Sequence, residues 1–168
     1  SGVGKIYLHA AVDTYGSYGW GFLHTSKQPE AAVALLHNHV IPQLDQWGIE
    51  LQNLLTDNGR EFCGTEAHPY QLYLQLNDIK HRTTKVKSPH TNGFVERFNR
   101  TVKEEFLPIS FRKKIYHTLE QLQEDFDTWC HHYNHQRPHR GYRNQGKRPF
   151  DTVKQFIPKN KLTVSLDG

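Results

Sequence analysis

Methionine is absent from all 168 residues, position 1 included, and cysteine is limited to Cys63 and Cys130. A chain without an initiating Met is expected to be processed or cut from a longer one. Two distant cysteines outside any paired motif provide no disulfide framework, so a reducing cytoplasm is the expected compartment. No run of about 18 apolar residues occurs, which argues against a helical membrane span. No signal-peptide pattern opens the chain, and no Ser-His-Asp arrangement supplies a covalent nucleophile.

Basic residues are scarce in the first half. Residues 1–79 hold three Lys/Arg against eight Asp/Glu, whereas residues 80–168 hold eighteen against nine. The net charge therefore changes from −5 to +9 between the halves. The densest stretch, 80–114, has ten basic and three acidic residues, and 137–148 has five basic residues and no acid. Such a concentration points to a polyanion, with nucleic acid first; a solvated basic face is the plain alternative. Hydrophobic residues make up 36% and aromatics 12%, enough for one domain with a core rather than a disordered chain.

The local patterns describe a mixed α/β chain. Residues 5–13 and 20–24 are rich in β-formers around a Tyr- and Gly-containing turn, which predicts an antiparallel hairpin. Pro29 opens a helix that Pro42 kinks or splits and Gly48 ends. Short strands follow at 51–56 and 79–84, with a helix over about 69–77 between them. A helix is predicted from Gly93 to about Phe106, with Phe94, Val95, Phe98 and Val102 on its apolar side. Leu119, Leu122, Phe126, Trp129, Cys130 and Tyr133 carry helical spacing in a last long helix. The tail from Asn134 is rich in Pro, Gly and Arg.

Two carboxylates stand out. Asp57 falls at the end of a short apolar strand, where α/β sheets place their sites. Glu96 shares a helix face with Arg100 at i+4 and Lys103 at i+7; a salt-bridged surface is the plain reading of that trio. The wording around them is more specific: TDNGREF at 56–62, SPHTNGFVERFNR at 88–100 and HYNHQRPH at 132–139. Together these resemble, in order and along essentially the whole chain, the DDE-type integrase catalytic core of retroviral integrases and bacterial insertion-sequence transposases.

The resemblance implies a ribonuclease-H-like mixed sheet flanked by helices. It also implies a triad of carboxylates holding two Mg²⁺ or Mn²⁺ ions, with Asp57 and Glu96 as the second and third acids. The 38 residues between them are slightly more than the family's usual gap, and the surplus fits the loop at 63–69. Two such ions can activate an attacking hydroxyl and stabilise a leaving oxygen, so one site can both cleave DNA 3′ ends and join them to target DNA. By the same resemblance Lys85, Lys87, His90 and Asn92 lie in a DNA-touching loop, and Arg100 and Lys103 grip DNA beside the site. The implied partner is double-stranded DNA, element ends and target, bound by a homo-oligomer in the bacterial cytoplasm near the nucleoid.

The first acid is the open position. The resemblance matches residues 5–13 to the family's second strand. The first, central strand and its Asp would then lie upstream of Ser1, and the isolated chain would be unfit for catalysis. Asp13 is the alternative ligand, its plain role being a cap on the following turn. On this reading residues 1–134 are a core lacking its first strand and 135–168 a basic extension. An inactive or domesticated DNA-binding core is the rival function, and a ribonuclease-H-type nuclease a third. Cys130, His131, His135 and His139 carry i, i+4 spacing but lack the cysteine pair of a zinc site. Arg137 and Arg140 are expected to touch DNA or dock the helix.

Overall fold

A computed structural model describes residues 5–26, 29–56, 69–83, 93–140 and 144–157. Strands β1 (Tyr7–Val12) and β2 (Gly19–His24) pair antiparallel, with Tyr7 opposite His24 and Val12 opposite Gly19. Strand β3 (Asn53–Thr56) pairs in parallel with β4 (Lys80–Thr83), the crossover passing through α3 (Pro69–Leu76). Among the described residues these remain two separate two-stranded sheets.

Side-chain alternation along the hairpin builds two layers, as a period of two requires. Leu8, Ala10, Val12 and Leu23 face one core with Phe98, Val102, Phe106, Leu122, Phe126 and Tyr133. Ala11, Trp20 and Phe22 face the other, formed by α1 (Pro29–Leu35), the turn after it and α3; Leu54 of β3 packs on that same cluster. One helical layer thus covers both strand pairs. Gly19 and Gly21 let the opposite helices approach, because a Cβ on either would run into the buried rings of Phe98 and Phe126 respectively.

The helices follow the expected positions with two departures. After α1 the chain makes a π-helical turn over Leu36–Val40 and continues as α2 (Ile41–Trp47), which Gly48 ends in the left-handed region at φ 73°. The helix from Gly93 does the same: α4 (Gly93–Thr101) widens into a π turn over Val102–Phe106 and continues as α5 (Leu107–Lys113), past its predicted end. In both cases the residue just before the proline, Ile41 or Leu107, donates its N–H five residues back, to Leu36 or Val102. Proline clashes with the i−4 carbonyl of a regular helix, and the wider turn accommodates Pro42 and Pro108 without ending the helix. The second departure is a short helix, α7 (Pro149–Val153), in the tail.

The long helix α6 (Leu119–His135) closes the structure, its N-terminus capped by Thr118, whose side chain accepts from the Gln121 N–H. It runs along the outer edge of β2. Asn134 uses its side-chain amide as a strand would: Oδ1 accepts the Gly19 N–H at 2.8 Å and Nδ2 donates to the Gly19 carbonyl at 2.8 Å. Gln123 repeats the pattern with the Leu23 N–H at 2.8 Å and the Gly21 carbonyl at 3.3 Å. The tail docks on the hairpin turn, where Asn144 Nδ2 donates to the Gly16 carbonyl at 2.7 Å and to Thr152 at 3.1 Å.

Asn134→Ala leaves both buried backbone groups of Gly19 without this partner. The expected loss is about 2–4 kcal/mol of folding stability, read as a lowered urea midpoint at unchanged slope. An unaltered midpoint would show that the amide clamp contributes nothing.

Candidate active site and nucleic-acid face

Glu96 lies in the first turn of α4, where an acidic side chain complements the helix dipole. The helix is locked from behind by Phe98 and Val102, 0% and 1% exposed, while Glu96, Arg100 and Lys103 are exposed. The helical spacing therefore places these three where it predicted. Among the described residues no ion pair joins Glu96 to Arg100 or to any other cation, so the carboxylate is not engaged in a surface salt bridge there. It is a hard oxygen donor of the kind that suits Mg²⁺. Asp57, Lys85, Lys87, His90 and Asn92 lie outside the described residues; β3 ends at Thr56, the residue before Asp57. No group of three or more metal-ligating side chains gathers among the described residues.

Asp13 occupies the hairpin turn. Its Oδ2 accepts the Gly16 N–H at 2.5 Å, its carbonyl accepts the Ser17 N–H at 3.0 Å, and its own N–H donates to Tyr18 O at 2.9 Å. This is the capping geometry an aspartate provides at a turn.

The HYNHQRPH segment is structural along most of its length. Tyr133 is core, its ring edge-on to Phe98 at 5.2 Å. Arg137 docks the helix: its guanidinium makes a two-pronged ion pair with Glu105, Nε to Oε2 at 3.0 Å and Nη2 to Oε1 at 2.6 Å, and lies over the Tyr133 ring. Arg140 is exposed. One feature of α4 has no sequence signal beyond the motif itself: Asn99, a helical turn after Glu96, buries its side-chain oxygen with no hydrogen-bond partner among the described residues.

The histidines that invite a zinc reading have other surroundings. The rings of His131 and His135 stack at 4.4 Å. The Tyr18 hydroxyl and His135 Nε2 are hydrogen-bonded at 3.1 Å. Burial, with the Cys130 thiol nearby, pushes the Tyr18 phenol up to about 12, so it stays protonated. Burial first, then His131 and Arg148, hold His135 below the ordinary imidazole range, against the opposing pull of Asp151. Burial, then Arg97 and Arg137, do the same to His139. The Cys130 thiol is driven strongly upward by burial and is not a nucleophile.

Residues 77–145 match the integrase core domain family, a stretch that runs from the approach to β4 through α4 and α6. This part of the chain is similar to integrase core domains. The TDNG wording at 56–59 lies before the matched stretch. An integrase, ORF3, of Spiroplasma virus SpV1-C74 is 25% identical over 145 residues, covering 81% of this chain and 39% of its own. Transposase InsD of insertion element IS2 from Escherichia coli is 33% identical over 92 residues, covering 54% of this chain and 28% of its own. The chain thus spans well under half the length of these relatives. In structure, the catalytic core domain of HTLV-2 integrase in complex with magnesium, in a trimeric form, aligns over 89% of this chain and 85% of its own, at TM-score 0.65 and 19% identity. That likeness shows the fold, ribonuclease-H-like with a mixed sheet flanked by helices. No helix among the described residues is long and apolar enough to cross a membrane.

The depressed histidines give the fold a pH dependence. Both bind protons less readily in the fold than in the unfolded chain, where their ordinary affinity returns. Below about pH 6.5 the unfolded chain binds more protons, so stability is complete above that value and falls as pH drops below it. The melting temperature is expected to decline from pH 7 to pH 5, and His135→Gln with His139→Gln to flatten that decline. An equally steep decline in the double variant would assign it to other groups.

Proposed function

We propose that this chain is the catalytic portion of a polynucleotidyl transferase that cuts DNA 3′ ends and joins them to target DNA, as in integration or transposition. The observation that carries the reading is the α4 helix. An exposed carboxylate stands in its first turn without a cation paired to it among the described residues, and two exposed cations follow it along the helix. The TNG-to-Asn99 wording supports the same assignment.

In this reading Asp57 and Glu96 hold divalent metal ions, Mg²⁺ or Mn²⁺. Such ions polarise the phosphoryl group and furnish a nucleophile at neutral pH. The protein's own part is positional: α4, fixed by its buried face, holds the Glu96 carboxylate still, and Arg100 and Lys103 neutralise neighbouring phosphates. Lys85, Lys87, His90 and Asn92 extend that grip. The first acid is assigned to a strand upstream of β1 rather than to Asp13. The two strand pairs are separate among the described residues, and a strand between β1 and β3 would join pairs already covered by one helical layer, which supports this assignment. Residues 135–168 are assigned as a basic extension of the core, and the working form as a homo-oligomer on DNA.

In the full protein that contains this chain, Glu96→Gln is expected to reduce metal-dependent cleavage and joining of labelled element ends more than about a hundredfold, since even groups outside the metal's ligand shell contribute 10–100-fold. DNA binding should change little. Binding without any cleavage by the unaltered protein would favour an inactive, DNA-binding core. Separately, Arg100→Ala and Lys103→Ala should each weaken binding to all duplex sequences alike and lower the slope of log affinity against log salt by about 0.9. An unchanged slope in both would remove these residues from the interface.

A further inference from the structure

The far end of the helical path through α4 and α5 carries a surface that the site at Glu96 does not use. Ile109, Phe111 and Ile115 are 48%, 58% and 80% exposed. Between them stand Arg112, Lys113 and Lys114, all exposed. The segment is braced: Asp125 of α6 accepts the Tyr116 phenol at 2.7 Å and the Lys114 ammonium at 3.4 Å, and Phe111 packs edge-on to Tyr116 at 5.6 Å between ring centres. Lys114 is thereby paired, whereas Arg112 and Lys113 meet no carboxylate among the described residues.

We infer that Phe111, Arg112, Lys113 and Ile115 form a second nucleic-acid contact, taking DNA that flanks the reacting end. This rests on the reading of the chain as a DNA-processing core. Unpaired cations beside an exposed aromatic ring and aliphatic side chains suit a phosphate backbone next to base faces or an opened base step. The spacing suits it as well. Phe111 follows Glu96 by fifteen residues along one continuous helical path, about 20 Å at the rise of an α-helix. A duplex held at Glu96 covers that distance in about six base pairs at 3.4 Å each. The cations would hold the backbone of the flanking duplex. Phe111 and Ile115 would favour a forked or distorted junction over perfect duplex.

The test uses the full chain with a fluorescent duplex of about three helical turns and a forked version of it, titrated across a salt series. Arg112→Gln with Lys113→Gln should lower the salt slope by about 1.8, from two phosphate contacts at about 0.9 each. Phe111→Ala should reduce the preference for the fork about fivefold or more and leave the slope unchanged, since stacking on one base contributes about 1–3 kcal/mol. All these side chains are exposed, and unchanged melting temperatures confirm that the variants fold. Arg100→Ala with Lys103→Ala is the parallel arm. If that pair lowers the slope and the patch variants do not, the inference fails while the proposed function stands. If the unaltered chain shows no salt-dependent DNA binding, both fail. Two outcomes at unchanged DNA affinity would also overturn the inference: loss of binding to anionic vesicles in the Arg112/Lys113 variant, or a smaller sedimenting species in Phe111→Ala.

Discussion

Strand β2 has no strand beyond it among the described residues, and its outward N–H and C=O groups have to be satisfied by something else. Helix α6 meets that constraint with two side-chain amides, Asn134 at Gly19 and Gln123 at Gly21 and Leu23. Backbone groups buried without partners cost about 1–3 kcal/mol each, so the clamp fixes α6 lengthwise and not merely by its apolar stripe. The glycines at 19 and 21 are part of the same arrangement, because they let Phe98 and Phe126 lie directly on the strand. From there the constraint passes to the site. Arg137, two residues beyond the end of the clamped helix, grips Glu105 in the π turn that continues α4. The helix bearing Glu96 is thus tied to the sheet through a side chain on another helix as well as through its own core contacts.

This dependency gives the HYNHQRPH wording a physical meaning. Tyr133 packs, Asn134 replaces a strand, Arg137 fastens two helices, and His139 is buried beside the Tyr133 ring. None of these actions is chemistry on DNA, yet each bears on where Glu96 points.

The elements were largely legible in the sequence, for local reasons. Alternation over 5–24 specified the hairpin, proline and glycine marked the ends of the second helix, and 3.6-residue spacing specified α6. The carboxylate face of α4 was legible for the same reason, since Glu96, Arg100 and Lys103 need only a helix to share a side. What escaped was long-range or compensatory. The amide clamp joins residues 115 apart in sequence. Its one local trace is an asparagine at i+4 from Cys130 and i+8 from Phe126, a polar residue on an apolar stripe. Pro42 is expected to kink or split its helix, and the end predicted near 106 lies just short of Pro108. The π turns absorb both prolines, which a rule built on regular α-helix geometry does not anticipate. Helix α7 is short and is held by Asn144 and by packing on the turn, with little intrinsic helical signal of its own. Asp57 and the loop at 85–92 lie outside the described residues, so their roles rest on wording alone.

The charge division between the halves follows from the same architecture. Residues 1–79 supply the hairpin, the helical layer over both strand pairs and β3, and they are acidic on balance. Residues 80–168 supply β4, the Glu96 helix with its extension, α6 and the tail, and they carry the basic excess. On the proposed reading a polyanion would follow the helical path 93–113, where cations stand at 97, 100 and 103 and again at 112 and 113. A regular helix could not have been this long with Pro108 inside it. The π turn that admits the proline therefore also lets a single rigid element carry a carboxylate at one end and, about 20 Å away at the other, cations that meet no carboxylate among the described residues.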